Sequence, residues 1–245
     1  MKTRVVFFGS DQYSQIVLNQ LKKSSQVEVT NQKAKIGILA SYGKIIPVET
    51  LTKFPLGILN LHPSLLPQYR GPSPVQTALL EGKTITGITI IKMDREIDHG
   101  PIVWQEKIKI KPEETTGQLY QRLFSLGAKT LLELLPTYLK GELKLREQDH
   151  SQASDTQKLT RKNGFIPLEK LFKQPVLTSR KIRAYSPWPG IWTKIEINHQ
   201  EKRLKILKAH LKGKKLILDQ VQLEGKNPIT FKQLLEGHPQ IENSL

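Results

Sequence analysis

Apolar positions fall into short blocks whose spacing alternates between two rhythms. Residues 4–8 form an unbroken β-rich apolar run that ends at Gly9-Ser10. Tyr13, Ile16, Val17 and Leu21 follow at helical spacing. Strand, glycine turn and helix in that order open an α/β layer structure. Further strands are predicted at 26–30, 35–40 and 57–62, and the continuous apolar character of 35–40 marks a buried strand. Pro74–Leu80 reads as a short helix, with proline at an early position where its missing N–H costs nothing. Residues 86–93 and 102–110 read as strands, the second alternating as a half-exposed strand does. Residues 115–139 carry the pattern of a long amphipathic helix, with Thr115 and Thr116 as caps and Gly141 just past its end.

The rhythm stops at 142–160, a polar stretch read as a linker. Beyond it, a small helix at 179–184 precedes Ser186-Pro187-Trp188-Pro189-Gly190. Strands are then expected at Ile191–Ile197, 203–210 and Lys215–Leu223, with Lys212-Gly213-Lys214 as a hairpin turn. Consecutive short strands suggest a small, OB-like β-barrel. The expected organisation is an α/β domain over 1–141, a linker over 142–160 and a β-barrel domain over 161–245. No internal repeat or low-complexity tract interrupts it.

Composition narrows the function classes. The 245 residues include 38 Lys+Arg, 22 Asp+Glu and no Cys, for a net charge of +16. Zero cysteine excludes a disulfide scaffold, a thiolate zinc site and a cysteine nucleophile. No apolar run approaches the roughly 18–20 residues of a membrane-spanning helix. The first residues lack the long apolar stretch of a signal peptide. The expectation is a cytoplasmic protein that binds no membrane. The charge is uneven: residues 151–245 carry 18 basic and 8 acidic residues, against 20 and 14 in residues 1–150. A concentrated positive field draws a polyanion, and nucleic acid is the partner it suggests. A solvated basic surface that aids only solubility is the alternative.

The densest chemistry lies in Asn60-Leu61-His62-Pro63-Ser64-Leu65-Leu66-Pro67-Gln68-Tyr69-Arg70-Gly71-Pro72. Asn60 and His62 are two apart at a strand end, so their side chains share a face. In an α/β sheet, ligands sit at the carboxyl ends of strands. Downstream, Asp94-Arg95-Glu96-Ile97-Asp98-His99-Gly100-Pro101 forms an acidic turn between two strands. Asn, His and Asp together supply an oxyanion donor, a group that exchanges protons near neutral pH, and a carboxylate to orient it. Ser64 lies between prolines and not on a nucleophile elbow, and no histidine cluster has metal-ligand spacing. Spacing alone supports no more than an acid–base site.

The chain resembles the folate-dependent formyltransferase family. The likeness rests on Val5-Val6-Phe7-Phe8-Gly9-Ser10, on Ala40-Ser41-Tyr42-Gly43-Lys44-Ile45-Ile46-Pro47, and on Gly57 through Pro67. It continues in Tyr69 through Gln76, Thr86-Gly87-Ile88-Thr89-Ile90, Met93-Asp94 and Asp98-His99-Gly100. Ile182 through Gly190 is similar to the second-domain signature of the two-domain members. The resemblance implies a Rossmann-like catalytic domain followed by a small β-barrel, and an enzyme that moves a formyl group from 10-formyltetrahydrofolate to an amine. The implied acceptor is the amino group of methionyl-tRNA, held by the basic second domain, in a monomer that serves translation initiation. The resemblance further implies that Asn60 would donate to the oxyanion, His62 would stabilise it or take the amine proton, and Asp98 would hold the imidazole. It implies a folate co-substrate beside Ser64, Leu65, Leu66 and Pro67.

Against the family pattern, one strand–helix unit and a basic insertion loop are missing between 30 and 34, a loop that in the family helps grip tRNA. His99 stands where threonine is common. A sugar-nucleotide N-formyltransferase and a non-catalytic RNA-binding relative are the competing readings. The excess of ten positive charges in residues 151–245 fits a long polyanion better than a sugar nucleotide. The intact Asn60, His62 and Asp98 argue for catalysis.

Overall fold

The computed structural model describes residues 2–244, in two compact units. The first comprises residues 1–75, 84–110 and 118–158, and the second 76–83, 111–117 and 159–245.

The first unit is built on a six-stranded sheet. Its elements are β1 (Thr3–Phe8), α1 (Ser14–Lys23), β2 (Val27–Val29), β3 (Ile36–Leu39), α2 (Val48–Leu51), β4 (Ile58–His62), α3 (Pro74–Leu80), β5 (Ile85–Lys92), β6 (Ile102–Lys109) and α4 (Thr116–Leu139), with α3 and α4 running across the unit boundaries. The strand order is β2-β1-β3-β4-β5-β6. The first four strands are parallel; β5 and β6 turn back antiparallel. Every residue of β3 and β4 is buried, which explains the continuous apolar run at β3; in β4 the buried set includes the polar Asn60 and His62.

The shortened connection after β2 has a geometric solution. Parallel strands ordinarily need a crossover of a dozen or more residues, because the chain must run back along the strand. Only six residues, 30–35, separate β2 from β3. They suffice because the two strands pair with successive parts of β1. Thr3, Arg4 and Val5 face Val27, Glu28 and Val29, whereas Val5 through Phe8 face Ile36 through Leu39. The chain therefore crosses β1 without returning along it. Arg4 spans the crossing, donating to Thr30 Oγ1 at 3.4 Å and Gln32 Oε1 at 2.7 Å.

The polar stretch expected as a linker is pinned along much of its length. Arg146 bridges Ile102 through both backbone groups, and Arg70 does the same with 154–156. Ser73 donates twice to this stretch, from its backbone N to Thr156 Oγ1 at 3.0 Å and from its hydroxyl to Gln157 O at 2.7 Å.

The second unit contains α5 (Leu168–Leu171), α6 (Pro175–Ala184), β7 (Ile191–Ile197), β8 (Gln200–Lys212), β9 (Lys215–Leu223), β10 (Ile229–Thr230) and α7 (Phe231–Gly237). Its β-rich layer is an antiparallel sheet in the order β10-β9-β8-β7. Alternation sets the inner face: Ile191, Thr193, Ile195 and Ile197 are buried on β7, as are Leu204 and Ile206 on β8. The helix α6 starts four residues before the expected position, because Pro175 occupies its first turn. No helix among the described residues is long and apolar enough to cross a membrane.

Candidate active site

The carboxyl end of β4 delivers Asn60 and His62, both almost fully buried, to one face of the sheet edge. The turn between β5 and β6 brings Asp98 against them. Asn60 Nδ2 donates to Asp98 Oδ1 at 2.9 Å. His62 Nδ1 lies 3.3 Å from Asp98 Oδ2. The backbone N–H of Gly71 donates to the same Oδ2 at 2.8 Å. One carboxylate thus gathers an amide, an imidazole and a main-chain donor. The other ring nitrogen of His62, Nε2, lies 2.9 Å from the carbonyl oxygen of Tyr69, which can only accept, so Nε2 carries the hydrogen.

The loop after β4 is shaped for these contacts. Tyr69 and Gly71 both have positive φ, 61° and 94°, and at Gly71 the absence of a side chain is what permits it. Asp98 itself has φ 50°, a conformation that aspartate tolerates better than bulky residues do.

Asn60, His62 and Asp98 open onto a cavity of about 380 Å³, the size of a small-ligand pocket. Its wall includes Leu39, Tyr42, Ile45, Ile46, Met93 and Ile97, with Lys44, Arg95 and Glu96 among the charged members. Ile45 and Ile97 are 79% and 61% exposed, unusual for large apolar side chains. The wall segment 41–46 is fixed from behind: Ser10 Oγ donates to the Tyr42 carbonyl, and Ser41 Oγ donates to Asp11 Oδ2. Asp11 also accepts from the N–H groups of Tyr13 and Ser14 at the start of α1.

Ser64, Leu65, Leu66 and Pro67, expected beside the folate, follow Pro63 of the wall and are not themselves among the residues that line this cavity. The Ser64 hydroxyl is turned inward and donates to Gln68 O at 2.6 Å. Leu66 packs with Ile91 and Ile102. Buried Thr89 ties the segment down, donating to Ser64 O and accepting from Leu66 N and Gln105 Nε2. This loop supports Tyr69–Gly71, and residues of segments 39–46 and 93–98 line the cavity. A signal for 41–46 was present in the chain, since it follows the carboxyl end of a fully buried parallel strand, where ligands collect.

A six-stranded, mostly parallel sheet with an amide–imidazole–carboxylate cluster at a strand end defines an α/β protein with an acid–base site. A family model described as formyl transferase matches residues 3–135, and one described as formyl transferase, C-terminal domain, matches residues 178–216. The chain belongs to the formyl transferase family. It is 46% identical to a methionyl-tRNA formyltransferase of Chloroflexus aggregans over 158 residues, covering 64% of this chain and 50% of the relative. It is 33% identical to one of Nitrosococcus oceani, covering 88% of this chain and 72% of the relative. The chain spans about half the length of the curated relatives it matches at 42–46% identity. Two solved structures share the fold. A methionyl-tRNA formyltransferase from Clostridium thermocellum has a TM-score of 0.65 at 20% identity, covering 90% of this chain and 98% of its own. HypX from Aquifex aeolicus, in complex with tetrahydrofolic acid, has a TM-score of 0.74 at 18% identity, covering 96% and 47%.

Proposed function

We propose that this chain transfers a formyl group from 10-formyltetrahydrofolate to the amino group of methionyl-tRNA. The observation that carries this reading is Asp98 bonded to Asn60 and 3.3 Å from His62, at the mouth of an apolar-walled cavity. The names of the relatives support the acceptor, and the basic excess of residues 151–245 supports a polyanion.

The residues fit the reaction. Leu39, Ile46, Met93 and Ile97 offer an apolar slot for a flat ring system, and Lys44 and Arg95 offer charge to its acidic tail. The amine nitrogen attacks the formyl carbon and the formyl oxygen becomes an oxyanion. Asn60 has two amide hydrogens; one goes to Asp98, and the second is available to the oxyanion. The C–N bond to the folate then breaks, leaving the formylated amine and tetrahydrofolate. The proton lost by the attacking amine is the one the departing folate nitrogen needs, so the His62–Asp98 pair takes it up and returns it. The ring nitrogens of His62 face the Tyr69 carbonyl and the Asp98 carboxylate, so the imidazole acts together with the carboxylate that it contacts.

The test offers radiolabelled 10-formyltetrahydrofolate with charged initiator tRNA, charged elongator tRNA and an amino-sugar nucleotide side by side. Label entering charged initiator tRNA is the expected result. Label entering only the sugar nucleotide would overturn the acceptor, and no transfer to any amine would overturn the enzyme.

A further inference from the structure

Gln148 lies in the polar stretch that composition marks as a linker, yet it is only 5% exposed. Its Nε2 donates to the carbonyls of Asp98, at 2.9 Å, and Gly100, at 2.8 Å. Its Oε1 accepts from Arg70 Nη2 at 2.8 Å. The amide orientation is unambiguous: a guanidinium only donates and a backbone carbonyl only accepts. Arg70 in turn sits between Tyr69, whose carbonyl holds His62, and Gly71, whose N–H holds Asp98. One buried side chain therefore joins both segments that build the site. It acts on a residue whose left-handed backbone persists only when its surroundings hold it.

We propose that Gln148 is a positioning residue for formyl transfer, holding Asp98 in the geometry that engages Asn60 and His62. This rests on the formyl-transfer reading of the site. Gln148→Glu separates positioning from plain structural support. Glutamate has the same shape and keeps an oxygen for Arg70, so the buried pairing survives. It sets its second oxygen against two carbonyls that need a donor, so the hold on Asp98 is lost.

The expected result is a fall in kcat of about tenfold or more with KM for the folate donor within about twofold, since a displacement near 1 Å can cost about 10²-fold. An independent readout is the ring 15N resonances of His62 in histidine-labelled protein, assigned with His62→Ala. In Gln148→Glu they should move toward their positions in Asp98→Asn, while the exposed His199 stays fixed. Gln148→Ala, which leaves Arg70 its 2.8 Å contact with His150 Nδ1, is the second variant should the first not fold, and it should show the same pattern. Unchanged kcat with unchanged His62 resonances would overturn the proposal. If the unaltered chain formylates no amine, the formyl-transfer reading falls. The resonances still decide whether Gln148 holds Asp98 on His62.

Discussion

Asn60 gives one amide hydrogen to Asp98, Nδ2 to Oδ1 at 2.9 Å, while Gly71 N occupies the other oxygen. Asp98→Asn must therefore turn an NH2 group toward one of two donors. It also removes the negative charge beside His62. Formyl transfer should drop by about 10²-fold or more, with a folate analogue still bound, as titration calorimetry would show. Loss of folate binding instead would assign Asp98 to the ligand wall and not to the chemistry.

Asn60→Ala and His62→Ala should each lower kcat by about 10²-fold or more: the first removes a donor to the developing oxyanion, the second the imidazole partner of Asp98. Both side chains line the cavity, where truncation leaves open space and not a gap in the apolar core, so the melting temperature should move by only a few degrees. Near-full activity in either variant would refute the site.

The parts of this molecule that could be read from the chain are those set by local periodicity. Asn60 and His62 share a face because strands alternate, and β3 announced itself as a continuous apolar run. Asp98 was legible only through the family likeness, since an aspartate before His-Gly in a turn has many ordinary uses. The anchoring of Ser64–Pro67 was not legible, because the contacts of Thr89 and Gln105 that hold this loop are tertiary. Gln148 carries no local signal at all. Its neighbours are polar, and its burial arises from pairing across 48 and 78 residues of chain. The six-residue crossing from β2 to β3 was equally hidden, because stagger along β1 is a property of the register and not of either strand.

Thr89 is fully buried and ties together Ser64 O, Leu66 N and Gln105 Nε2. Thr89→Val keeps the shape and deletes the hydroxyl, leaving those groups short of a partner. Denaturant unfolding should show a loss of about 1–3 kcal/mol, the cost of an unsatisfied buried polar group. A change below a few tenths of that would mean the loop finds other partners and is not anchored by Thr89.

Tyr138, near the end of α4, donates its hydroxyl to Leu56 O at 2.7 Å, and burial pushes the phenol up to about 12 from 10.0. The folded chain thus keeps this proton over a range in which the unfolded chain has lost it. Its contribution to stability is intact below pH 10 and is lost as pH rises from about 10 to about 12. Tyr138→Phe should flatten that part of the alkaline unfolding curve while lowering stability at pH 8 through the missing hydrogen bond. An unaltered slope above pH 10 would show that another group controls alkaline unfolding.

The basic face of the second unit is where the acceptor's phosphates should be held. Along β8 the buried Leu204 and Ile206 define the inner side, which leaves Arg203 and Lys205 on the outer one. The alternation breaks at the irregularity around Leu207 and Lys208, and Lys208 is exposed as well. Arg203 lies over the Trp192 ring at 4.8 Å, so part of this face is aromatic as well as cationic. At the hairpin end, Lys212, Lys214 and Lys215 are all exposed. His210 is engaged with Asp219 at 2.9 Å and Lys194 with Glu201 at 2.6 Å, so the cations are not equivalent. Reversing Lys212, Lys214 and Lys215 to glutamate should raise KM for charged tRNA and leave folate binding unchanged. The log–log dependence of affinity on salt should also flatten, by about 0.7–0.9 for each phosphate no longer neutralised. The same substitutions on a merely solvated surface would alter neither. An unchanged KM and salt slope in the triple variant would place the RNA path on the first unit.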